Sequence, residues 1–218
     1  PSLGDWHDIT AIGKEFRLMV DIVLNHVSRK SQWFQDYVSG VMPATEYFIE
    51  ISPEEDLSSV VRPRNRPLYA ATNTRNGLRH VWTTFSEDQI DLDFRNPDVV
   101  AHADRALDRM IAEYGARYVK IDYNLNAGRG TDRSADSAGD GLLEHNRAYL
   151  GWLERLMDRY PRVTFENCGS GGLRANYALL ALHSIQSTSD QMHYLANPYI
   201  AAAAPTLIAP EQCAVWAF

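Results

Sequence analysis

Three carboxylates close stretches that read as consecutive strands: Asp122 in Tyr118-Val-Lys-Ile-Asp-Tyr-Asn124, Glu166 in Val163-Thr-Phe-Glu-Asn-Cys168, and Asp190 in Ser184-Ile-Gln-Ser-Thr-Ser-Asp190. A single acid at a strand end is ordinarily a helix cap or a surface ion pair. Three in succession at the same end of a parallel sheet converge. Converging carboxylates are what glycoside hydrolysis uses, one ionised to meet the cationic sugar carbon and one protonated to serve the leaving oxygen. Lys120 stands two residues before Asp122, so both side chains leave the same face of the strand. An ammonium there would keep Asp122 ionised and donate to sugar hydroxyls. Its bland alternative is a structural ion pair.

These residues need a scaffold, and the periodicity supplies one. Leu18 to Leu24 is a short apolar run that breaks into Asn25-His26, the pattern of a buried strand with polar residues at its C-terminal end. Asn96-Pro97-Asp98 signals a helix start, and Val99, Val100, Ala103, Ala106, Leu107, Met110, Ile111 and Tyr114 then form one apolar stripe ending before Gly115. Further helices are expected around Tyr149–Met157 and Leu173–Leu182. Strand and helix alternate, which predicts a parallel sheet with its chemistry at the strand C-termini. The expected fold is α/β, a (β/α)8 TIM-barrel type that is incomplete, with four clear parallel strands.

Residues 29–95 show no sustained period. They carry Pro43, Pro53, Pro63, Pro67, an Asn76-Gly77 turn signal and one strand-like run, Arg79 to Phe85. A structureless loop of that length is uncommon in a compact domain. The expected organisation is a barrel segment over 1–28 and 96–218, with an irregular subdomain over 29–95 inserted after the third barrel strand.

Composition removes several classes of function. The chain has 218 residues, with 21 basic against 28 acidic side chains and a net charge of −7. That balance argues against nucleic acid or an anionic membrane as a partner. Two cysteines, Cys168 and Cys213, make no disulfide framework, and the seven histidines form no i,i+4 zinc pair. No metal or organic cofactor is expected. No run of about 18 apolar residues exists to span a membrane. Opening on Pro1 and closing on Ala214-Val-Trp-Ala-Phe218, the chain reads as a piece of a longer protein, with a cytoplasmic location expected. Four strands cannot close a ring, so assembly into a homo-oligomer is one way to cover the open sheet.

From Arg117 onward the chain resembles the α-galactosidases of glycoside hydrolase family 36. The resemblance rests on Lys120-x-Asp122-x-Asn124, on Glu166-Asn-Cys-Gly-Ser-Gly-Gly-x-Arg174, and on Ser189-Asp190. It implies that Asp122 is the nucleophile and Asp190 the acid/base. It further implies that Lys120, Asn124, Glu166, Cys168, Gly171 and Arg174 belong to the sugar subsite. Asn176 stands where that family commonly has Asp.

Residues 4 to about 98 instead resemble the sucrose phosphorylase branch of the α-amylase family, glycoside hydrolase family 13. Asp21-Ile-Val-Leu-Asn25-His26 matches its first signature, and Val60-Val-Arg-Pro-Arg64 and Val81 to Asp93 match its inserted subdomain. That resemblance implies that His26 contacts the reacting sugar and Asp21 braces the strand end. Phe85 and Gln89 would border the subsite, and Arg64 would reach an acceptor or phosphate. Both families are retaining α-glycosidases on one barrel type, so the chain reads as a hybrid joined near Asn96–Ala106.

The function expected is hydrolysis of α-galactoside-type oligosaccharides by double displacement. Two alternatives stay open: a sucrose phosphorylase-like glucosyl transfer, and an inactive carbohydrate-binding fragment. A rival site assignment makes Glu166 the acid/base and Asp190 structural. Gly169-Ser-Gly-Gly172 lacks the Lys-Ser/Thr ending of a phosphate-binding P-loop.

Overall fold

The computed structural model describes residues 4–58, 69–82, 89–124 and 130–215. The strands are β1 (Leu18–Ile22), β2 (His26–Ser28), β3 (Tyr69–Thr74), β4 (Gly77–Trp82), β5 (Gln89–Asp91), β6 (Ala116–Asp122), β7 (Thr164–Cys168), β8 (Ile185–Ser187) and β9 (Cys213–Ala214). The α-helices are α1 (Trp6–Glu15), α2 (Gln32–Ser39), α3 (Pro97–Asp108), α4 (Asp140–Arg159), α5 (Tyr177–Leu182) and α6 (Asn197–Ala203). Residues 1–23, 102–123 and 153–218 form one compact unit, and residues 24–101 and 124–152 form a second. Residues 124–152, placed with the barrel segment by sequence, fall in the second unit.

The first unit carries a five-stranded sheet in the order β1-β6-β7-β8-β9, parallel throughout. This is the α/β barrel type. Four of its strands lie where the sequence placed strands, and β9, two residues long, adds a fifth at the edge. On β6, Val119 and Ile121 are buried while Tyr118, Lys120 and Asp122 on the opposite face are half-buried. Period-two alternation thus gives β6 one apolar and one polar face, with Lys120 and Asp122 on the same face as expected. Ala103, Leu107 and Ile111 of the expected stripe are buried, with Leu156 and Phe165. A π-turn over Arg109–Glu113 follows α3, and Gly115 takes φ +75° just beyond it.

Two strand ends differ from expectation. The strand read as Leu18–Leu24 stops at Ile22, and His26 opens β2, which runs antiparallel to β5 with His26 opposite Asp91. The cause lies in Asn25, which donates through Nδ2 to Asp91 Oδ1 at 3.1 Å and accepts the Leu92 N–H at 2.7 Å. These bonds commit the chain to an antiparallel ladder. The strand read as Ser184–Asp190 stops at Ser187, where Thr188 gives its N–H (3.2 Å), the last rung of the β8–β9 pairing, and its hydroxyl (2.7 Å) to the Ala214 carbonyl.

In the second unit, the Asn76-Gly77 signal closes the β3–β4 hairpin, with Thr74 opposite Gly77. Its core is aromatic. Phe34 and Phe48 meet edge to face at 5.4 Å between centroids, and Phe94 meets Tyr149 in the same way at 5.0 Å.

Candidate active site

Asp122, Cys168 and Ser187 are the last residues of β6, β7 and β8. Parallel pairing brings Asp21, Lys120 and Glu166 to one level and Asp122 and Cys168 to the next, all on the same sheet face. The side chains the sequence singled out on these strands therefore share one surface at the carboxyl end of the sheet. Lys120 Nζ lies 3.0 Å from Asp21 Oδ2. Burial disfavours the Lys120 ammonium, but the charges of its neighbours, Asp21 and Asp122 among them, outweigh burial and raise its pKa.

Glu166 is 0% exposed, and both its oxygens are engaged. Oε2 accepts the Tyr118 hydroxyl at 2.6 Å, and Oε1 accepts the Ser187 hydroxyl. The sheet's own hydroxyls thus hold this carboxylate from both sides. The sequence reading missed Tyr118 and Ser187. Tyr118 was legible as the same-face neighbour of Lys120, two residues earlier; Ser187 required the register of β8 against β7. Cys168, 1% exposed, is flanked by Ser187, Asp122 and the Gly171 N–H. Burial first, then the Asp122 carboxylate, pushes its thiol up to about 12, so it is protonated at neutral pH.

Gly169 to Gly172 fold back over these strand ends. Gly171 takes φ +77° and lies against Ser189 and the Asp190 backbone nitrogen. Asp190 is exposed, in the loop three residues beyond β8 rather than at a strand end. Arg174 is buried, with its guanidinium carbon 3.9 Å over the Tyr123 ring. Its carbonyl accepts Asn167 Nδ2, which also donates to Gln186 Oε1 at 2.6 Å. This buried amide pair pins β7 to β8 beneath the polar face. Asn176, the departure from the family pattern, caps α5 by accepting the Leu179 N–H at 3.1 Å.

Of the residues singled out in the second unit, Asn124 is buried and His26 half-buried, with His26 Nδ1 at 3.2 Å from Asn25 Oδ1. Gln89 opens β5, and its side chain lies outside the described residues, as do Arg64 and Phe85 entirely. This unit also holds a cavity of about 560 Å³ whose walls include Glu50, Arg79, His80, Asp132 and Arg133. Glu50 there is spent on structure: it accepts Arg133 Nη1 and the Tyr37 hydroxyl, each at 3.0 Å. The cavity lacks aligned strand-end carboxylates. Asp93, bound by Arg95 at 2.7 Å, is likewise structural; His145 and Arg95 outweigh its burial and lower its pKa to about 2. Among the described residues no cluster of three or more His, Cys, Asp or Glu could hold a metal ion, and no helix is long and apolar enough to cross a membrane.

A parallel α/β sheet with charged, thiol and hydroxyl groups gathered on adjacent strand ends is a segment of the TIM-barrel type. The melibiase family profile matches residues 76–212, and the catalytic-domain profile of alpha amylase matches residues 8–140. The chain therefore belongs to both families, the second through its N-terminal part and the first through its C-terminal part. It is 43% identical over 120 residues to the glucosylglycerate phosphorylase of Escherichia coli (strain K12), covering 55% of this chain and 21% of that protein. It is 29% identical over 177 residues to the sucrose phosphorylase of Agrobacterium vitis, covering 76% and 35%. The chain thus spans between a fifth and about a third of these relatives. The α-galactosidase of Lactobacillus brevis superposes with a TM-score of 0.69 at 16% identity, covering 95% of this chain and 24% of that one, a likeness of fold.

Proposed function

We propose that the chain carries a retaining α-glycosidase site that acts on α-galactoside-type oligosaccharides, with Asp122 as nucleophile and Asp190 as acid/base. One observation carries this reading: Asp122 ends β6 with Lys120 on its own face and Cys168 in register beside it. In the first step an Asp122 oxygen bonds to the anomeric carbon, the glycosidic bond breaks, and Asp190 protonates the departing oxygen. Water, deprotonated by Asp190, then attacks the same carbon and releases Asp122. Asp190 is exposed, whereas Glu166 is enclosed with both oxygens hydrogen-bonded, which supports Asp190 for the proton transfers. The family resemblance assigns Lys120, Asn124, Glu166, Cys168, Gly171 and Arg174 to the sugar subsite. A cytoplasmic location and homo-oligomeric assembly belong to the same proposal.

A second reading makes phosphate the acceptor in place of water, and the names of the glucosylglycerate and sucrose phosphorylases favour it. For that reading the family resemblance assigns Asp21 to bracing the strand end, His26, Phe85 and Gln89 to the glycosyl group, and Arg64 to phosphate. Turnover of aryl α-galactosides and α-glucosides, with and without phosphate, separates the two. Retention of configuration and phosphate-independent release from the galactoside are expected. A sugar 1-phosphate as sole product selects the second reading. Asp122→Asn lowers either turnover by about a thousandfold or more; activity within a few-fold of the parent overturns the assignment.

A further inference from the structure

We propose that the cavity of the second unit binds a sugar acid, a hydroxyl-rich ring carrying a single carboxylate. Its volume of about 560 Å³ suits a small molecule, and its described wall residues all belong to that unit. Segments 50–55, 78–80 and 130–139 build the wall. The first two are tied as strands are: Glu50 bridges Val81 in antiparallel fashion, and the Ile51 N–H donates to the His80 carbonyl at 2.7 Å. The third is pinned at several points. Asp132 Oδ1 accepts the Gly139 N–H at 2.8 Å, and Arg133 Nη1 donates to the Thr45 carbonyl at 2.6 Å and to Glu50 Oε1 at 3.0 Å. The cavity is therefore preformed, and a ligand need not order its walls.

Two guanidinium groups stand in this wall with donors to spare. Arg133 is held through Nη1 alone, and its Nε and Nη2 make no hydrogen bond among the described residues. Arg79 comes within 4.0 Å of Glu50 Oε2, makes no hydrogen bond among the described residues, and has a side chain 45% exposed. Glu50 Oε1 already accepts both Arg133 and the Tyr37 hydroxyl. One carboxylate thus serves two arginines. A second, brought by a ligand, meets the planar fork of Arg79 in the two-pronged geometry that guanidinium and carboxylate favour.

The rest of the wall limits the ligand to one negative charge. Glu55 and Asp132 line it with Glu50, so three carboxylates face two arginines, which disfavours a polyanion. Asp132 keeps Oδ2 outside any hydrogen bond among the described residues, an acceptor for a hydroxyl. Leu78, 59% exposed, and Pro53 offer an apolar strip to the C–H face of a ring. A carboxylate for Arg79, a hydroxyl for Asp132 and an apolar face for Leu78 occur together in a sugar acid.

The test titrates the full chain with galacturonate, galactose and acetate, followed by the backbone amide signals in NMR. Galacturonate differs from galactose only in a carboxylate that replaces the hydroxymethyl group. It should shift the His80, Arg133 and Gly139 amides together, with a dissociation constant at least about tenfold below those of galactose and acetate there. Arg79→Gln removes only a 4.0 Å ion pair at a half-exposed side chain, so the fold is kept. It should weaken galacturonate about tenfold or more, and Arg79→Lys, which keeps the charge without the fork, should fall between. Galacturonate affinity unchanged in Arg79→Gln overturns the proposal, as does acetate or galactose binding equally well at these amides. Galacturonate shifts confined to the strand ends of the first unit overturn it too. The readout is binding at amides of the second unit, so it stands or falls apart from the roles of Asp122 and Asp190.

Discussion

A Cβ built on Gly171 would stand 2.4 Å from the Ser189 Cα and 2.9 Å from the Asp190 nitrogen, in a backbone at φ +77°. The loop after β7 can rest on the segment leading to Asp190 only because no side chain intervenes. Gly171→Ala should cost about 1–3 kcal/mol of folding stability through strain and displacement. It should also lower turnover at least about tenfold by moving Asp190. Urea denaturation beside kcat measures both; a variant matching the parent in the two would show that Gly171 does not fix this segment.

The enclosure of Glu166 makes a second expectation. Tyr118→Phe removes the 2.6 Å hydrogen bond to its Oε2 and leaves a buried oxygen without that donor, a loss of about 1–3 kcal/mol. Glu166→Gln sets an amide N–H₂ against one of two hydroxyl donors and should cost a similar amount. Because the two changes act on one network, the double variant should lose less than the sum. Strict additivity in chemical denaturation would show that the two groups are not coupled.

His183 supplies a pH dependence with a definite sign. It is buried, its Nδ1 lies 2.9 Å from the Leu179 carbonyl, and burial lowers its pKa to about 4 from 6.5. Between those values the unfolded chain binds a proton that the folded chain does not, so stability falls as pH drops from 6.5 toward 4. The loss amounts to about 3 kcal/mol in total and levels off below pH 4. His183→Gln should flatten this part of the profile, measured as unfolding free energy at pH 7 and 4.5. A slope equally steep in the variant would assign it to other groups.

Local chemistry made much of this legible in the sequence. Short apolar runs closing on polar residues announce the strands at Tyr118–Asn124 and Val163–Cys168, the stripe from Val99 to Tyr114 announces a helix, and polar residues closing successive strands mark a chemical edge. The two family resemblances, confirmed by the profile matches, rest on contiguous motifs that any reader of the chain can see. The Lys120–Asp122 pair follows from period-two geometry alone.

Other features depend on groups far apart in the chain, and no local pattern encodes them. Tyr118 and Ser187 meet at Glu166 only through the register of three strands, so a carboxylate that reads as a candidate acid is in fact sealed by two hydroxyls. His26 looks continuous with the strand ending at Ile22, yet Asn25 ties the chain to Asp91 and Leu92, some 66 residues away, and turns it into an antiparallel pair. The sheet edge beside Ser187 is set by Ala214, near the far end of the chain, so where β8 ends ahead of Asp190 is not written in its own segment. Propensity and periodicity act within a few residues, whereas hydrogen-bond satisfaction and close packing are settled between whichever segments the fold brings together.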